Sequence, residues 1–446
     1  MTRARHPSCL ALACRHILRM RIADPEPDCY TAPGCELRYR RGSITWAGLM
    51  RLTCITHRAW STGMVLGNCL GDQVPMCDTT GEDTMPTRRE FFQDAASAMA
   101  GIVFVGCGLV EMAEAQPQSG SAAPRRQVVV GGRRVKTVDV HAHCAVPEAM
   151  ALMGRNVAPQ ALLMVQEPVH ERVRQMDAQG IDVEALSINP YWYGAERDLA
   201  SQIIKIQNDK LAEVCAVQPD RFVAFATVAL QYPDLAAQQL EEGVKKLGLR
   251  GASIGGSVNG EELSNPKFHP FWAKAEELGA LIFLHPQGIP DLEKRLQGNG
   301  LLTNVIGNPL ETTIALSHLI FEGTLDRFPG LKLCAAHGGG YLPSYSARSD
   351  HGCLTFPDRC SKTPLQKRPT EYLRQLYFDS LVFTPEALRH LVAECGASQI
   401  VMGTDYPYPW TSTAVEHILG TPGLSDAERA ALLGDTACTL LGIVQA

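Results

Sequence analysis

Short apolar runs recur along the chain from residue 137 onward and are separated by longer, more polar stretches. Each run has the length of a β-strand and is bounded by glycine, proline or polar residues. The pattern predicts eight strands, at 137–143, 183–188, 222–228, 251–255, 281–285, 331–337, 376–380 and 400–405.

Between these runs, apolar residues recur three or four positions apart, which is typical of amphipathic helices. Some of these segments begin with asparagine or threonine before proline, as at Asn265 and Thr384, and some end at glycine, as at Gly180 and Gly248. The pattern predicts helices over 168–179, 198–217, 234–247, 266–278, 310–322, 385–395 and 411–418, with a less regular one over 343–348.

Strict alternation of strands and helices implies parallel strands joined by right-handed crossovers. Eight such units over roughly 300 residues predict an α/β protein with a (β/α)8 TIM barrel. A doubly wound open sheet is the alternative. It is disfavoured because no Gly-x-Gly-x-x-Gly motif follows the first predicted strand, where a dinucleotide-binding fold would carry it.

The N-terminal quarter of the chain lacks this regularity. Residues 1–84 show no sustained period, so we assign them no fold and interpret them as a candidate over-extended gene start. Residues 85–115 resemble a twin-arginine signal peptide: Arg88 and Arg89 precede an uncharged run and the small-residue cleavage site Ala113-Glu114-Ala115. A buried N-terminal helix is the alternative. We interpret residues 116–134 as a linker and 135–446 as the barrel domain.

Composition narrows the functional class. The chain is 45% hydrophobic and 20% charged, which is typical of a soluble globular protein. A net charge of -6 and the absence of a basic stripe argue against a nucleic-acid partner. The uncharged run at 95–110 is shorter than the about 20 residues of a membrane helix, so we expect no stable membrane span. The 15 cysteines are scattered without CxxC pairs, so most are expected to be buried small residues rather than a disulfide framework.

Four predicted strands end in residues that commonly bind metals. His141 and His143 lie two positions apart on the first strand, so both imidazoles point to the same side. His285, His337 and Asp405 end the fifth, sixth and eighth strands. A single histidine of this kind is more often an ordinary buried polar residue. Because the carboxyl ends of barrel strands share one mouth, the five side chains are instead predicted to form a single site.

This pattern of His-x-His, two further histidines and an aspartate resembles the amidohydrolase superfamily over about residues 135–445. The phrases Leu284-His285-Pro286, Ala336-His337-Gly338-Gly339-Gly340 and Gly403-Thr404-Asp405-Tyr406-Pro407 are similar to one branch of it. That branch contains aminocarboxymuconate-semialdehyde decarboxylase and related metal-dependent aromatic decarboxylases. The resemblance implies a barrel of the metal-dependent hydrolase type.

The resemblance also implies roles for the five residues. The metal ligands would be His141, His143, His285 and Asp405. His337 would be a catalytic histidine beside the metal, and His337 or Asp405 would act as general acid and base. Two-metal members carry a carboxylated lysine on strand four, and 249–255 contain no lysine, so a single divalent metal is implied. Three imidazoles and a carboxylate suit Zn²⁺ best, although Mn²⁺, Co²⁺ or Fe²⁺ fit the same donors.

Three further residues are candidates for substrate binding. Arg348 falls where the branch has an arginine for the substrate carboxylate, and a surface ion pair is the alternative. Trp192 and Trp410 follow the second and eighth strands, so we expect both rings at the mouth, where they could stack on a planar substrate. Packing within the loops is the alternative for both.

These observations predict a metal-dependent non-oxidative decarboxylase that acts on a small aromatic or conjugated carboxylate. Two alternatives stay open: a metal-dependent hydrolase of a lactone, ester or amide, and a non-catalytic periplasmic metal- or ligand-binding module. The export signal predicts a periplasmic or secreted protein, or a cytoplasmic one if translation starts at Met1. A homodimer is expected from the resemblance alone, with Arg348 acting in its own or a neighbouring subunit.

Overall fold

The computed structural model describes residues 125–156 and 169–445. The predictions for residues 1–84 and for the signal peptide at 85–115 lie outside the described residues and stay predictions. The first part of the predicted linker, residues 116–124, lies outside them as well.

Eight strands and eight helices alternate along the described chain, and we label them β1–β8 and α1–α8. The strands are Val138–His143, Val183–Ser187, Phe222–Ala224, Gly251–Ile254, Leu281–Leu284, Lys332–Ala335, Tyr377–Asp379 and Ile400–Val401. The helices are Val169–Gln179, Arg197–Val217, Pro233–Lys245, His269–Leu278, Asn308–Phe321, Leu342–Thr355, Pro385–Cys395 and Ala414–Gly420. Every predicted strand and helix is present, with shifted ends; α6 extends well beyond its predicted 343–348.

The strands close into a ring. Parallel ladders join β1, β2 and β3 in one run and β4 through β8 in another. Two parallel bridges complete the circle: Ala226 with Ala252 connects β3 to β4, and Asp139 with Met402 connects β8 to β1. This closed order confirms the predicted TIM barrel over the open sheet.

Two apolar cores stabilise the barrel. Inside the ring, residues such as Val138, Val140 and Phe283 are completely buried, and the rings of Phe225 and Phe283 stack at 5.6 Å between centroids. The alternate strand residues face outward and pack against the helices in a second, larger core. Burying each large side chain contributes about 2 kcal/mol, so the two cores together fix the strand ends that carry the polar residues.

The last turns of the chain close the amino end of the barrel. The segments Asp426–Ala430, Ala431–Asp435 and Thr436–Leu441 follow one another, and Ala437 and Leu441 join the inner core. Gly434 allows this close approach, because a Cβ there would lie 1.9 Å from the carbonyl oxygen of Lys136, just before β1. The carboxyl end of the barrel is therefore the end that is available for a ligand.

Short elements connect the main ones. Helical segments are Pro147–Ala151, Pro266–Phe268, Pro290–Leu292, Glu293–Leu296, Thr303–Gly307, Thr324–Arg327, His337–Gly339, Pro357–Cys360, Pro369–Arg374 and Ala397–Gln399. Two hairpins pair Val129–Val130 with Arg133–Arg134 and Ser257–Val258 with Glu261–Glu262. No helix in the described ranges is both long enough and apolar enough to cross a membrane.

One feature corrects the interpretation of the cysteines. Cys353 and Cys360 form a disulfide that connects α6 to the short helix Pro357–Cys360. The scattered spacing did not indicate this pair, because the two cysteines approach each other only after the chain turns back at the end of α6. The remaining cysteines of the described ranges are free and buried or half-buried, which agrees with the prediction.

Candidate metal centre

The five predicted site residues meet at the carboxyl end of the barrel. His141 and His143 lie on β1, and His285, His337 and Asp405 follow β5, β6 and β8. The Nε2 atoms of His141 and His143 are 3.0 Å apart. The Oδ1 atom of Asp405 lies 2.8 Å from His143 Nε2 and 3.2 Å from His141 Nε2. The ring of His285 lies 4.5 Å from that of His143 between centroids.

This donor set fits a divalent metal ion. One potential ligand atom from each of His141, His285, His337 and Asp405 lies within 4.8 Å of all the others, and His143 contacts two members of the group. The ring nitrogens of His141 and His143 face each other and the same carboxylate oxygen, so three potential ligand atoms converge on one point. A cation there would bind the lone pairs of this oxygen and of the deprotonated ring nitrogens. The predicted division into four ligands and a catalytic His337 stays a prediction.

Electrostatics keep His143, His285 and Asp405 in the protonation states that metal binding requires, but they do not do so for His141. Burial alone would lower the pKa of His141, but the carboxylates of Asp405 and Asp379 outweigh burial and raise it to about 10, so this ring must release a proton when a metal binds. Burial lowers the pKa of His143 and, more strongly, that of His285, so both imidazoles are neutral and retain a free lone pair. Burial alone would raise the pKa of the Asp405 carboxyl. The charge and hydrogen bonds of His141, with those of His143, outweigh burial and hold that pKa well below its usual range.

Backbone strain is concentrated at the same place. Asn259, Leu301, His337, Phe383 and Asp405 are the non-glycine residues in the described ranges with positive φ. His337 has φ 56° and Asp405 has φ 63°, and each faces the metal centre. A conformation of this kind costs about 1–3 kcal/mol, so it persists only where the surrounding structure enforces it. The two turns therefore hold side chains whose direction matters for function.

Asp379 is a functional residue that the sequence reasoning missed. It ends β7, is completely buried, and accepts a 2.6 Å hydrogen bond from His141 Nδ1. The backbone N–H groups of His337 and Gly338 donate to the same carboxylate at 2.9 and 2.8 Å. Asp379 thus orients a predicted ligand and the turn that carries His337. The available signal was an acidic residue at the end of a predicted barrel strand.

Ser187 and Asp139 support the two β1 histidines. Ser187 Oγ lies 3.2 Å from His143 Nδ1, which leaves the Nε2 atom of that ring for the centre. Asp139 accepts hydrogen bonds from the backbone N–H of His141 at 3.0 Å and of Thr404 at 3.1 Å. Both contacts fix the β1 end against its neighbours, and neither was predicted.

Glu311 performs a similar task for His285. This buried carboxylate on α5 accepts hydrogen bonds from the backbone N–H groups of Gln287 and Gly288, at 2.6 and 2.5 Å. These residues follow His285 almost directly, so Glu311 fixes the turn that carries the imidazole. Burial raises the pKa of Glu311 to about 7, although the two N–H donors oppose that shift.

A cavity of about 370 Å³ opens beside the centre. His337 and Asp405 line its inner end. Its walls are formed by loop and helix residues, including Asn304, Val305, Asn308, Tyr341, Phe383 and Trp410. The volume lies at the small end of the range for ligand sites, so the cavity suits a one-ring molecule.

The three predicted substrate-binding residues have different positions. Trp410 lines the cavity, as expected, near the ring of Phe383. Trp192 does not: it is completely buried and donates a 2.9 Å hydrogen bond from Nε1 to the Val228 carbonyl, so its expected position at the mouth is corrected. Arg348 is exposed on α6 and does not line the cavity of its own chain.

Comparison with known proteins identifies related chains. The family model described as Amidohydrolase matches residues 138–443. The chain is 33% identical over 276 residues to a 2-amino-3-carboxymuconate-6-semialdehyde decarboxylase of Dictyostelium discoideum, covering 61% of this chain and 76% of that one. It is 34% identical over 251 residues to a gamma-resorcylate decarboxylase of Rhizobium radiobacter, covering 53% and 76%.

A solved structure gives the same result for the fold. The dihydroxybenzoic acid decarboxylase from Polaromonas sp. JS666, determined with bound manganese and the inhibitor 2-nitroresorcinol, superposes with a TM-score of 0.61. It is 27% identical, and the alignment covers 69% of this chain and 97% of that one.

Replacing Asp379 should weaken metal binding without unfolding the barrel. Asp379→Asn keeps the shape of the side chain but loses the negative charge that orients His141, so we expect about 10- to 100-fold lower metal affinity. Competition with a chelator measures that affinity. The exposed Asp220→Asn is a matched control with no expected effect. Equal affinity in both variants would contradict the role given to Asp379.

Glu311 should make stability depend on pH. Its folded pKa of about 7 exceeds its unfolded value of 4.5, so the folded protein binds more protons across that interval. The free energy of unfolding of the wild type should therefore fall, relative to Glu311→Gln, by up to about 3 kcal/mol between these pH values and then level off. Urea unfolding from about pH 4.5 to 8 measures this difference. A difference that does not vary with pH would mean that Glu311 is ionised throughout.

Proposed function

The chain belongs to the amidohydrolase family, and on this basis we propose that it is a metal-dependent, non-oxidative decarboxylase of an aromatic or conjugated carboxylic acid. The observation that carries the proposal is the cluster of imidazoles and one carboxylate. It lies at the inner end of a cavity whose volume suits a molecule with one ring. Two relatives of the chain are named for decarboxylation of gamma-resorcylate and of 2-amino-3-carboxymuconate-6-semialdehyde.

The proposed reaction breaks one carbon–carbon bond. The bond between the substrate carbon and its carboxylate is cleaved, CO2 leaves, and the electron pair stays on that carbon, which takes up one proton. A bound divalent metal would supply positive charge that holds the substrate oxygens. The predicted ligands for it are His141, His143, His285 and Asp405.

The chain's own groups then supply and accept the proton. His337 Nε2 lies 3.7 Å from Asp405 Oδ2, and both residues line the cavity, so this pair is the proposed general acid and base. The Phe383 and Trp410 rings in the cavity wall provide flat surfaces for a planar substrate.

We propose Zn²⁺ as the resident ion, because three imidazoles and one carboxylate match its preferred donors. Mn²⁺ is the competing proposal, since the related Polaromonas structure contains manganese. Metal analysis of the purified protein decides between the two ions.

We also propose that the protein forms a homodimer through α6. The exposed side chains of Tyr345, Leu354 and Phe356 give this region an apolar surface, and Arg348 lies on the same helix. Arg348 would then act on substrate only from the neighbouring subunit. A monomeric mass by light scattering at micromolar concentration would contradict the dimer.

Export to the periplasm, or secretion, is a further proposal. It rests on the twin-arginine pattern at 85–115 and is supported by the Cys353–Cys360 disulfide, because disulfides persist mainly in oxidising compartments. Translation from Met1 and retention in the cytoplasm is the alternative. N-terminal sequencing of the protein from cell fractions tests this proposal.

The proposed function predicts one divalent metal per chain and release of CO2. Metal content by mass spectrometry, paired with CO2 release from hydroxybenzoates and conjugated dicarboxylates, tests both parts. Metal without CO2 release would favour hydrolysis, and lactones and esters would then be assayed. Folded protein that binds no metal would contradict the ligand set itself.

Two histidine variants test the division of roles. His285→Asn should lose both metal and turnover. His337→Asn should keep the metal while turnover falls by at least about 100-fold. The exposed His390→Asn, on α7, is the matched control and should change neither property. Loss of metal in His337→Asn would show that His337 is itself a ligand.

A further inference from the structure

Two asparagines form part of the wall of the cavity that His337 and Asp405 also line. Asn304 lies in the π-helical turn Thr303–Gly307, and Asn308 begins α5 directly after it. Residues four positions apart lie on the same side of a helical turn, and both residues line the cavity. π-Helical turns are rare and frequently mark functional sites.

The two side-chain amides are free to bind a ligand. Neither amide makes a hydrogen bond to another residue within 125–156 or 169–445, while both are half-buried. Each amide offers a carbonyl oxygen that accepts and an NH2 group that donates. A hydroxyl group, which both donates and accepts, is the simplest partner for such a pair.

The cavity wall lacks a positive charge. Neither lysine nor arginine lines the cavity among the described residues, and the remaining wall is largely apolar or aromatic. The undescribed stretch 157–168 contains no lysine or arginine in its sequence. A carboxylate pressed against such a wall would lose its hydration without gaining a counter-ion, which is strongly unfavourable.

The nearest candidate cation, Arg348, is exposed on α6 and does not line the cavity of its own chain. A second carboxylate on the substrate would still face the neutral amides and the rings of Phe383 and Trp410.

We propose that the substrate is a one-ring aromatic acid with a single carboxylate, and that Asn304 and Asn308 select it by binding its ring hydroxyl groups. This inference rests on the proposed decarboxylase function. Two relatives are named for substrates that differ in this respect. Gamma-resorcylate carries one carboxylate, as proposed here, whereas 2-amino-3-carboxymuconate-6-semialdehyde carries two.

The test compares acids that differ by one carboxylate. Salicylate and 4-hydroxyisophthalate form such a pair, and gamma-resorcylate adds a second ring hydroxyl. With the metal-loaded full chain, we expect CO2 release to be fastest from gamma-resorcylate and at least about 10-fold slower from 4-hydroxyisophthalate than from salicylate.

Substitutions then assign the selectivity to the two amides. Asn304→Ala and Asn308→Ala should each raise KM for gamma-resorcylate about fivefold, the effect of one lost neutral hydrogen bond. Asn304→Lys should shift preference towards 4-hydroxyisophthalate. Asn299→Ala, an exposed asparagine outside the cavity, is the matched control.

Binding of 2-nitroresorcinol provides a readout that does not depend on turnover. Quenching of Trp410 fluorescence, checked with Trp410→Phe, reports its Kd, and each alanine variant should weaken binding about fivefold. Unchanged Kd and KM in both alanine variants, or faster decarboxylation of 4-hydroxyisophthalate, would overturn the proposal while leaving decarboxylation intact. If none of the acids releases CO2, the decarboxylase function fails, and the Kd values alone decide the role of the amides.

Discussion

Closure of the barrel between β8 and β1 is the constraint on which the site depends. His141 and Asp405 are far apart in sequence, yet the backbone N–H of Asp405 donates to the His141 carbonyl at 2.8 Å. Asp139 on β1 stabilises the same β8–β1 junction, because its carboxyl group accepts hydrogen bonds from the Thr404 backbone N–H and hydroxyl. These contacts are buried, so water cannot replace any bond that is lost. The position of the carboxylate relative to the imidazoles therefore follows from the fold rather than from local flexibility.

Burying the polar side chains at the carboxyl end of the barrel costs free energy, and the hydrogen bonds among these residues offset that cost. Asp379, Asp405 and Glu311 are carboxyl groups in largely water-free surroundings, and each would be strongly destabilising alone. Asp379 is surrounded by N–H donors, and Glu311 accepts hydrogen bonds from the Gln287 and Gly288 backbone. The imidazoles around Asp405 are the exception, because burial keeps His143 and His285 neutral while their rings crowd together beside His141 and one carboxylate. This imbalance is what a metal ion would correct, and the strained turns at His337 and Asp405 preserve it.

Sequence periodicity could predict the barrel, because eight buried parallel strands leave a strong apolar signal and their ends share one face. The same logic could predict the five metal-centre residues. It missed Asp379, since an acid after a strand is common and only the observed hydrogen bond to His141 separates it from a surface residue. It misplaced Trp192, because the position of a residue after a strand does not determine the direction of its side chain. The indole of Trp192 points into the protein and donates a hydrogen bond to the Val228 carbonyl. The direction of loop side chains and the Cys353–Cys360 disulfide depend on tertiary contacts, which the spacing of apolar residues along the sequence does not predict.

The barrel strands and the loops contribute different parts of the site, the strands its reacting end and the loops its walls. The inner end of the cavity, with His337 and Asp405, comes from the strand ends and could serve either hydrolysis or decarboxylation. The walls come from the π-helical turn before α5, the start of α6 and the loops after β7 and β8. Among the described residues, this wall has amides and flat rings but no lysine or arginine, which favours a planar molecule that is neutral away from its reacting group. Selection among acids can therefore change through a few wall residues while the metal ligands stay fixed. The amides of Asn304 and Asn308 make no hydrogen bond within the described residues. Replacing either residue would therefore change substrate selection without breaking another contact of the wall.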